Sequence, residues 1–121
     1  LYAASFVCHK ATTETEKAIC ADPELSALDE NLSFIHKSLL KITDDKAALK
    51  AEQRQWLKSR DGYGDNFGGL YTSMAMRFNA MANNFNFLRC FQARYQIDLL
   101  TCSKVFSTIS TALFTSFSVF P

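Results

Sequence analysis

Four cysteines and two histidines are the side chains of this chain best suited to disulfide or metal chemistry. The cysteines stand at positions 8, 20, 90 and 102, and the histidines at 9 and 36. Zinc sites usually draw on closely spaced pairs such as CxxC or HxxxH, and the sequence has no such pair. An even number of cysteines in a short chain is typical of two disulfides formed in an oxidising compartment. The spacing therefore favours disulfides over zinc, and we predict neither a metal nor a cofactor.

Motifs typical of enzymes are missing from the sequence. It has no nucleophile elbow, phosphate-binding loop, HExxH motif or Rossmann glycine pattern. The carboxylate pairs Asp29-Glu30 and Asp44-Asp45 fall at helix starts or on a charged helix face, where capping and solvation explain them. His36 also falls on a polar helix face, and we expect it to be a solvated surface residue. The sequence predicts a protein that is not an enzyme.

Length and composition are those of one ordinary globular domain. The chain has 121 residues, 48% of them hydrophobic and 21% charged, which is enough for a core without metal or cofactor. Thirteen basic and 12 acidic residues give a net charge of +1, which argues against a nucleic-acid binder. We predict no transmembrane segment, because the uncharged residues 105–121 are too polar and too short to span a bilayer.

The start of the chain indicates export. Ala3, Ala4 and Ser5 are small residues of the kind that surround a signal-peptidase cut. A chain trimmed by other means would look the same. Together with the even cysteine count, these residues predict an exported protein that is periplasmic, secreted or attached to the envelope.

Signals for helix starts predict an antiparallel helical hairpin. Thr13 and Glu16 form a capping box before a short helix that ends near Cys20. Asp22 and Pro23 are a typical N-cap and first residue for a helix of about 20 residues. The run Thr43-Asp44-Asp45 ends that helix and begins the next. We therefore predict an all-α fold with hairpin arms at residues 22–42 and 44–60.

Apolar residues at steps of three and four predict which faces are buried. Leu25, Leu28, Leu32 and Ile35 form a stripe on the first arm, and we expect Trp56 to pack into it. Four glycines make residues 62–69 the main loop. A second stripe, rich in aromatic residues and methionine, runs from Tyr71 to Leu99, and we interpret it as core rather than as a binding box.

Two stretches of the C-terminal half are harder to assign. Asn83-Asn84 are poor helix formers and mark a break in the second stripe. Over residues 105–121 the periodicity favours a helix, while the Ser, Thr and Phe content favours a strand. We predict an amphipathic helix docked on the hairpin. One domain then covers residues 1–121, with a hairpin core at 6–61, the glycine loop at 62–69 and a C-terminal part at 70–121.

Three blocks of sequence resemble the LprI-type bacterial lysozyme inhibitors. The first block reads FVCHKATTETEKAIC from Phe6 to Cys20 and continues as ADPELSALDENL. The second, KAEQRQWLKSRD, runs from Lys50 to Asp61, and a weaker third match begins at Cys90 and covers residues 90–100. The resemblance implies a small exported protein that binds and blocks a lysozyme. An envelope interaction or toxin-neutralising module, and a small peptidoglycan hydrolase, are the alternatives.

The resemblance also implies disulfides. A Cys8–Cys20 bond would close a loop of about 13 residues and contribute roughly 3 kcal/mol. Members of the family usually carry a cysteine just after the Trp-Leu-x-x-Arg-Asp run, where this chain has Gly62. Cys90–Cys102 is the available replacement, and it requires a turn between the two residues because an unbroken helix would hold them about 18 Å apart.

Polar residues in the matching blocks are the candidate site. Two roles are open to them: they lock the ends of the hairpin, or they bind the protein partner. We favour locking, with Arg60 as the ion-pair partner of Asp29 across the arms. The candidates are Glu16, Asp29, Gln53, Arg60 and Asp61.

Overall fold

Between residues 2 and 92 the chain forms four α-helices and one short 3-10 helix. A computed structural model describes residues 2–92, with side chains described as far as Cys90. Within those residues every regular element is helical, so the predicted all-α class is confirmed. The 3-10 helix spans Cys8–Lys10, and the α-helices are α1 (Glu14–Ala21), α2 (Pro23–Ile42), α3 (Lys46–Asp61) and α4 (Phe67–Gln92).

Side-chain caps set the starts of the first three α-helices. The Thr13 hydroxyl accepts a hydrogen bond from the Glu16 amide at 3.0 Å. The Asp22 carboxylate accepts from the amides of Glu24 and Leu25 at 2.9 and 3.0 Å, and Pro23 occupies the first turn. The carboxylate of Asp45 accepts from the Ala48 amide at 2.9 Å. These short-range bonds give acceptors to backbone amides in the first turn, which have no hydrogen-bond partner within the helix.

The hydrophobic core lies mainly between α2 and α4. The apolar stripe of α2 is buried as the spacing indicates, and α4 supplies most of the side chains that cover it. α3 runs back along α2, because its last turn meets the first half of α2, but only Leu49 and Arg60 of α3 are buried. The largest fully buried apolar side chains of the described residues are Ile19, Leu25, Leu39, Leu70 and Met74.

α4 differs from the prediction at both its start and its middle. It begins at Phe67, so the loop ends at Asn66, and Gly68 and Gly69 lie in the first helical turn. The Asn66 side chain accepts from the Gly69 amide at 3.2 Å, which supports this earlier start. The helix also continues through Asn83-Asn84 without a break. Burial of Met81 and Ala82 just before these residues outweighs their poor helix propensity.

Two glycines at the junction of α3 and α4 are needed for different reasons. Gly64 has a φ of 60°, in the left-handed region that residues other than glycine rarely adopt. At Gly69, a Cβ atom would collide with the ring of Tyr63. The turn therefore depends on one glycine for its backbone angle and on the other for close packing.

A disulfide joins Cys8 to Cys20, with 5.9 Å between their Cα atoms, and ties the N-terminal segment to the end of α1. The predicted Cys90–Cys102 bond, the stripe beyond residue 92 and the amphipathic helix at 105–121 lie outside the described residues. Among the described helices, none has an apolar stretch long enough to cross a membrane.

Candidate functional site

An open groove of about 530 Å³ separates α2 from α3. One face of α2 forms the first wall and the inner face of α3 forms the second, while Ser5, Phe6 and Glu16 close one end. The groove exists because α2 uses its apolar stripe against α4, which leaves α3 in contact with the core mainly through Leu49. Lining residues from the two walls are Asp29, Leu32, Ser33 and His36 of α2, and Lys50, Gln53, Arg54, Trp56, Leu57 and Arg60 of α3.

A buried ion pair forms the floor of the groove near its closed end. The guanidinium Nη1 of Arg60 lies 3.8 Å from Oδ1 of Asp29. The other carboxylate oxygen of Asp29 accepts from the Ser5 amide at 2.7 Å. Arg60 also donates to the Asp61 carboxylate through Nε and Nη2, at 3.2 and 3.0 Å. Three segments of the chain, the N-terminal segment, α2 and the last turn of α3, are therefore joined at one point.

Trp56 lies beside this ion pair. The guanidinium carbon of Arg60 is 5.7 Å from the centroid of the Trp56 ring, within the range of a cation–π contact. The ring is partly buried: it packs against the core cluster, which includes the leucines of α2, and it also lines the groove. Its burial is only partial because α4 covers most of the apolar stripe of α2.

Thr15 is a structural residue that sequence reasoning missed. Its side chain is fully buried, and its hydroxyl donates to the Gly64 carbonyl at 2.8 Å and lies 3.4 Å from that of Asp61. These bonds hold the turn after α3 against α1. The capping box drew attention to Thr13 and Glu16, and a threonine inside the first turn gave no separate signal.

The open end of the groove is basic. Lys50 and Arg54 line it. The side chain of Gln53, which also lines the groove, accepts a hydrogen bond from Nε of Arg77 at 3.0 Å, so a third cation lies next to the α3 wall. His36 lies at this end, partly exposed but with its Nε2 buried, so it is only in part the solvated surface residue that the sequence predicts. Partial burial, together with the positive charges of Arg77 and Lys50, holds the pKa of His36 below its ordinary value of 6.5.

The predicted site residues are close together in space. Glu16, Asp29, Gln53 and Arg60 all line the groove, and Asp61 pairs with Arg60 at its edge. Glu16 also accepts from the Thr13 hydroxyl at 3.3 Å, which ties it to the cap of α1. Sequence reasoning missed His36, Lys50 and Arg54 as lining residues, because their positions depend on how far α3 stands from α2.

A family comparison identifies the domain. The family model for lysozyme inhibitor LprI matches residues 8–96, which include the disulfide and α1 to α4. The chain belongs to the LprI family. Comparison with curated proteins and with solved structures finds no match. The groove, with its ion pair, is therefore a feature of an LprI domain.

The groove of this LprI domain is suited to binding. The described residues contain no group of three or more His, Cys, Asp or Glu side chains that could hold a metal. Asp29 is paired with Arg60 and almost fully buried, so its carboxylate is held in a fixed structural contact. The accessible charged groups of the groove are Glu16 at the closed end and Lys50 and Arg54 at the open end, which can make polar contacts with a partner.

Proposed function

We propose that this protein is an exported inhibitor that binds a lysozyme-like muramidase one to one, without turnover of its own. The match to lysozyme inhibitor LprI over residues 8–96 is the observation that carries the proposal. Inhibition needs no chemistry from the inhibitor. It is enough to fill or cover the cleft in which two carboxylates flank the scissile glycosidic bond.

The charge distribution supports binding to a basic lysozyme. Along residues 14–30, which form α1 and the first half of α2, Lys17 is the only base. Lysozymes of the animal type are strongly basic, so this acidic end would attract them and raise the rate of encounter. The acidic side chains of this stretch are Glu14, Glu16, Asp22, Glu24, Asp29 and Glu30, of which Asp29 is buried.

The Cys8–Cys20 disulfide supports the exported part of the proposal. Disulfides form and persist in oxidising compartments and are rare in the cytosol of ordinary bacteria. The bond closes a short loop at the very start of the domain and attaches it to α1. A periplasmic, secreted or envelope-associated location gives this bond the conditions that it needs.

A protein-interaction module of the envelope, or a toxin-neutralising module, is the second candidate. The observation in its favour is the exposure of large apolar side chains on α2 and α4. Phe34 is 72% exposed and Met76 is 68% exposed. Side chains of this kind serve contacts with other proteins when they lie together on the surface.

An inhibition assay with the full chain tests the proposal. Purified protein is added in several-fold molar excess to a basic animal-type lysozyme and to a bacterial muramidase, and the lysis of cell walls is followed by turbidity. We expect slower lysis for at least one enzyme, with a one-to-one complex in calorimetry. Unchanged lysis of cell walls by both enzymes would exclude inhibition and leave the interaction module as the proposed function.

A further inference from the structure

Four cations form a ridge along the solvent-exposed side of α3, and two of them, Lys50 and Arg54, also lie at the edge of the groove. Lys46, Lys50, Arg54 and Lys58 follow one another at intervals of four residues, and all four are exposed. Successive members lie about 6 Å apart along the helix, so that the ridge is about 18 Å long. In the described part of the chain none of the four takes part in an ion pair; the salt bridges there involve Lys17 and Arg60. We call these four residues the α3 ridge.

The α3 ridge stands out from the body of the domain. α3 buries only Leu49 near its start and Arg60 near its end, and its inner side, with Lys50 and Arg54 at the edge, faces the groove. A helix with so few buried side chains and a groove along one flank presents a convex edge to solvent. Such an edge fits a concave surface of a partner, with the long lysine and arginine side chains as the leading groups.

We propose that the α3 ridge enters the catalytic cleft of the muramidase and that Lys50 and Arg54 pair with its two catalytic carboxylates. This inference rests on the proposed function and adds the contact that produces inhibition. The two carboxyl groups of a glycosidase lie about 5–5.5 Å apart in retaining enzymes and about 6.5–9.5 Å apart in inverting ones. Lys50 and Arg54, one helical turn apart, match that separation with flexible side chains.

The positive charge of the α3 ridge favours the catalytic cleft of the lysozyme over its outer surface as the contact site. The outside of a basic lysozyme would repel four unpaired cations, whereas the carboxylate pair within its cleft attracts them. The acidic end of the inhibitor, at α1 and the start of α2, is then free to contact the basic surface around the cleft. The two regions of opposite charge on the inhibitor thus orient the complex.

Matched double substitutions test the role of the α3 ridge. Lys50→Ala with Arg54→Ala removes the proposed contacts, and Lys37→Ala with Lys41→Ala removes two exposed cations at the same spacing on α2. Inhibition of an animal-type lysozyme is measured for the wild type and both variants, with circular dichroism to establish folding. We expect the inhibition constant to rise at least tenfold for the α3 variant and to stay within twofold of wild type for the α2 variant.

Binding to an altered enzyme tests the carboxylate half of the contact. A lysozyme whose two catalytic carboxylates are changed to amides is titrated by calorimetry with wild type and with the α3 variant. We expect weaker binding by wild type and little further loss for the α3 variant, because both changes remove the same ion pairs. Equal inhibition by wild type and the α3 variant would overturn the ridge and leave the proposed function standing. Absence of inhibition by wild type would overturn both.

Discussion

Nη1 of Arg60 lies 3.8 Å from Oδ1 of Asp29, and these side chains are only 7% and 6% exposed. The pair joins the last turn of α3 to the first half of α2, at a point where Asp29 also accepts from the backbone of Ser5. Since both charges are nearly excluded from water, each depends on the other for compensation.

Arg60→Ala should therefore destabilise the fold by about 3–5 kcal/mol, because it leaves the Asp29 carboxylate buried without its cation. Urea unfolding measures the loss, with Lys37→Ala as an exposed control. At temperatures where the variant is folded, inhibition should persist, because Arg60 locks the helices together. A variant as stable as wild type that no longer inhibits would instead place Arg60 in the contact with the partner.

The Cys8–Cys20 disulfide should contribute about 3 kcal/mol, given a loop of about 13 residues. Replacing both cysteines by serine removes the bond without leaving a free thiol at either position. We expect a lower urea midpoint, and peptide mapping of the alkylated wild type should find neither residue modified before reduction. Alkylation of Cys8 and Cys20 in the unreduced protein would contradict both the bond and the argument for export.

Thr15→Val should cost about 1–2 kcal/mol, because it keeps the shape of the side chain but removes the hydroxyl that binds the Gly64 carbonyl. Thr15→Ser is the matched control, since it keeps the hydroxyl and loses only a methyl group. Thermal unfolding of the pair separates the two contributions. If the valine variant proves at least as stable as the serine variant, the hydrogen bond does not hold the turn.

Local signals in the sequence predicted the helix starts well. Caps such as Asp22 and Asp45 act through bonds to amides two or three residues away, so that the sequence contains everything they need. The family blocks also indicated residues that meet in space. Glu16, Asp29 and Arg60 lie far apart in the chain and line one groove.

The arrangement of α3 could not be predicted in the same way. The apolar stripe of α2 can be covered by either of the two helices that follow it, α3 or α4, and its periodicity does not say which one does so. Burial of Leu70, Met74 and Met81 against it gives α4 the advantage. The groove, the partial burial of Trp56 and the surroundings of His36 all follow from that choice, which depends on packing between distant segments.

Trp56→Ala should cost about 3 kcal/mol, at the lower end for truncation of a tryptophan, because the ring lies at the edge of the core. Trp56→Phe keeps an aromatic ring against the core and should lose less. Unfolding is followed by circular dichroism, since Trp56 is the only tryptophan. An alanine variant that unfolds together with wild type would mean that the ring makes no effective contact with α2.

The free energy of unfolding should decrease as the pH is lowered, and part of this decrease should depend on His36. Its pKa is held below the ordinary 6.5 by partial burial and then by Arg77 and Lys50. As pH falls through 6.5, the unfolded chain takes up a proton at this histidine before the folded protein does, so the free energy of unfolding decreases. Well above 6.5 the imidazole is neutral in both states and makes no such contribution.

The variant His36→Gln tests this dependence. Its melting temperature should therefore decrease less than that of wild type when the pH is lowered from 7.5 to 5.5. In a Lys50→Ala background, the difference in pH dependence between His36 and His36→Gln should become smaller, because one of the two neighbouring cations is removed. Identical pH profiles for wild type and His36→Gln would show that neither burial nor the positive end of the groove lowers the pKa of this histidine in the folded protein.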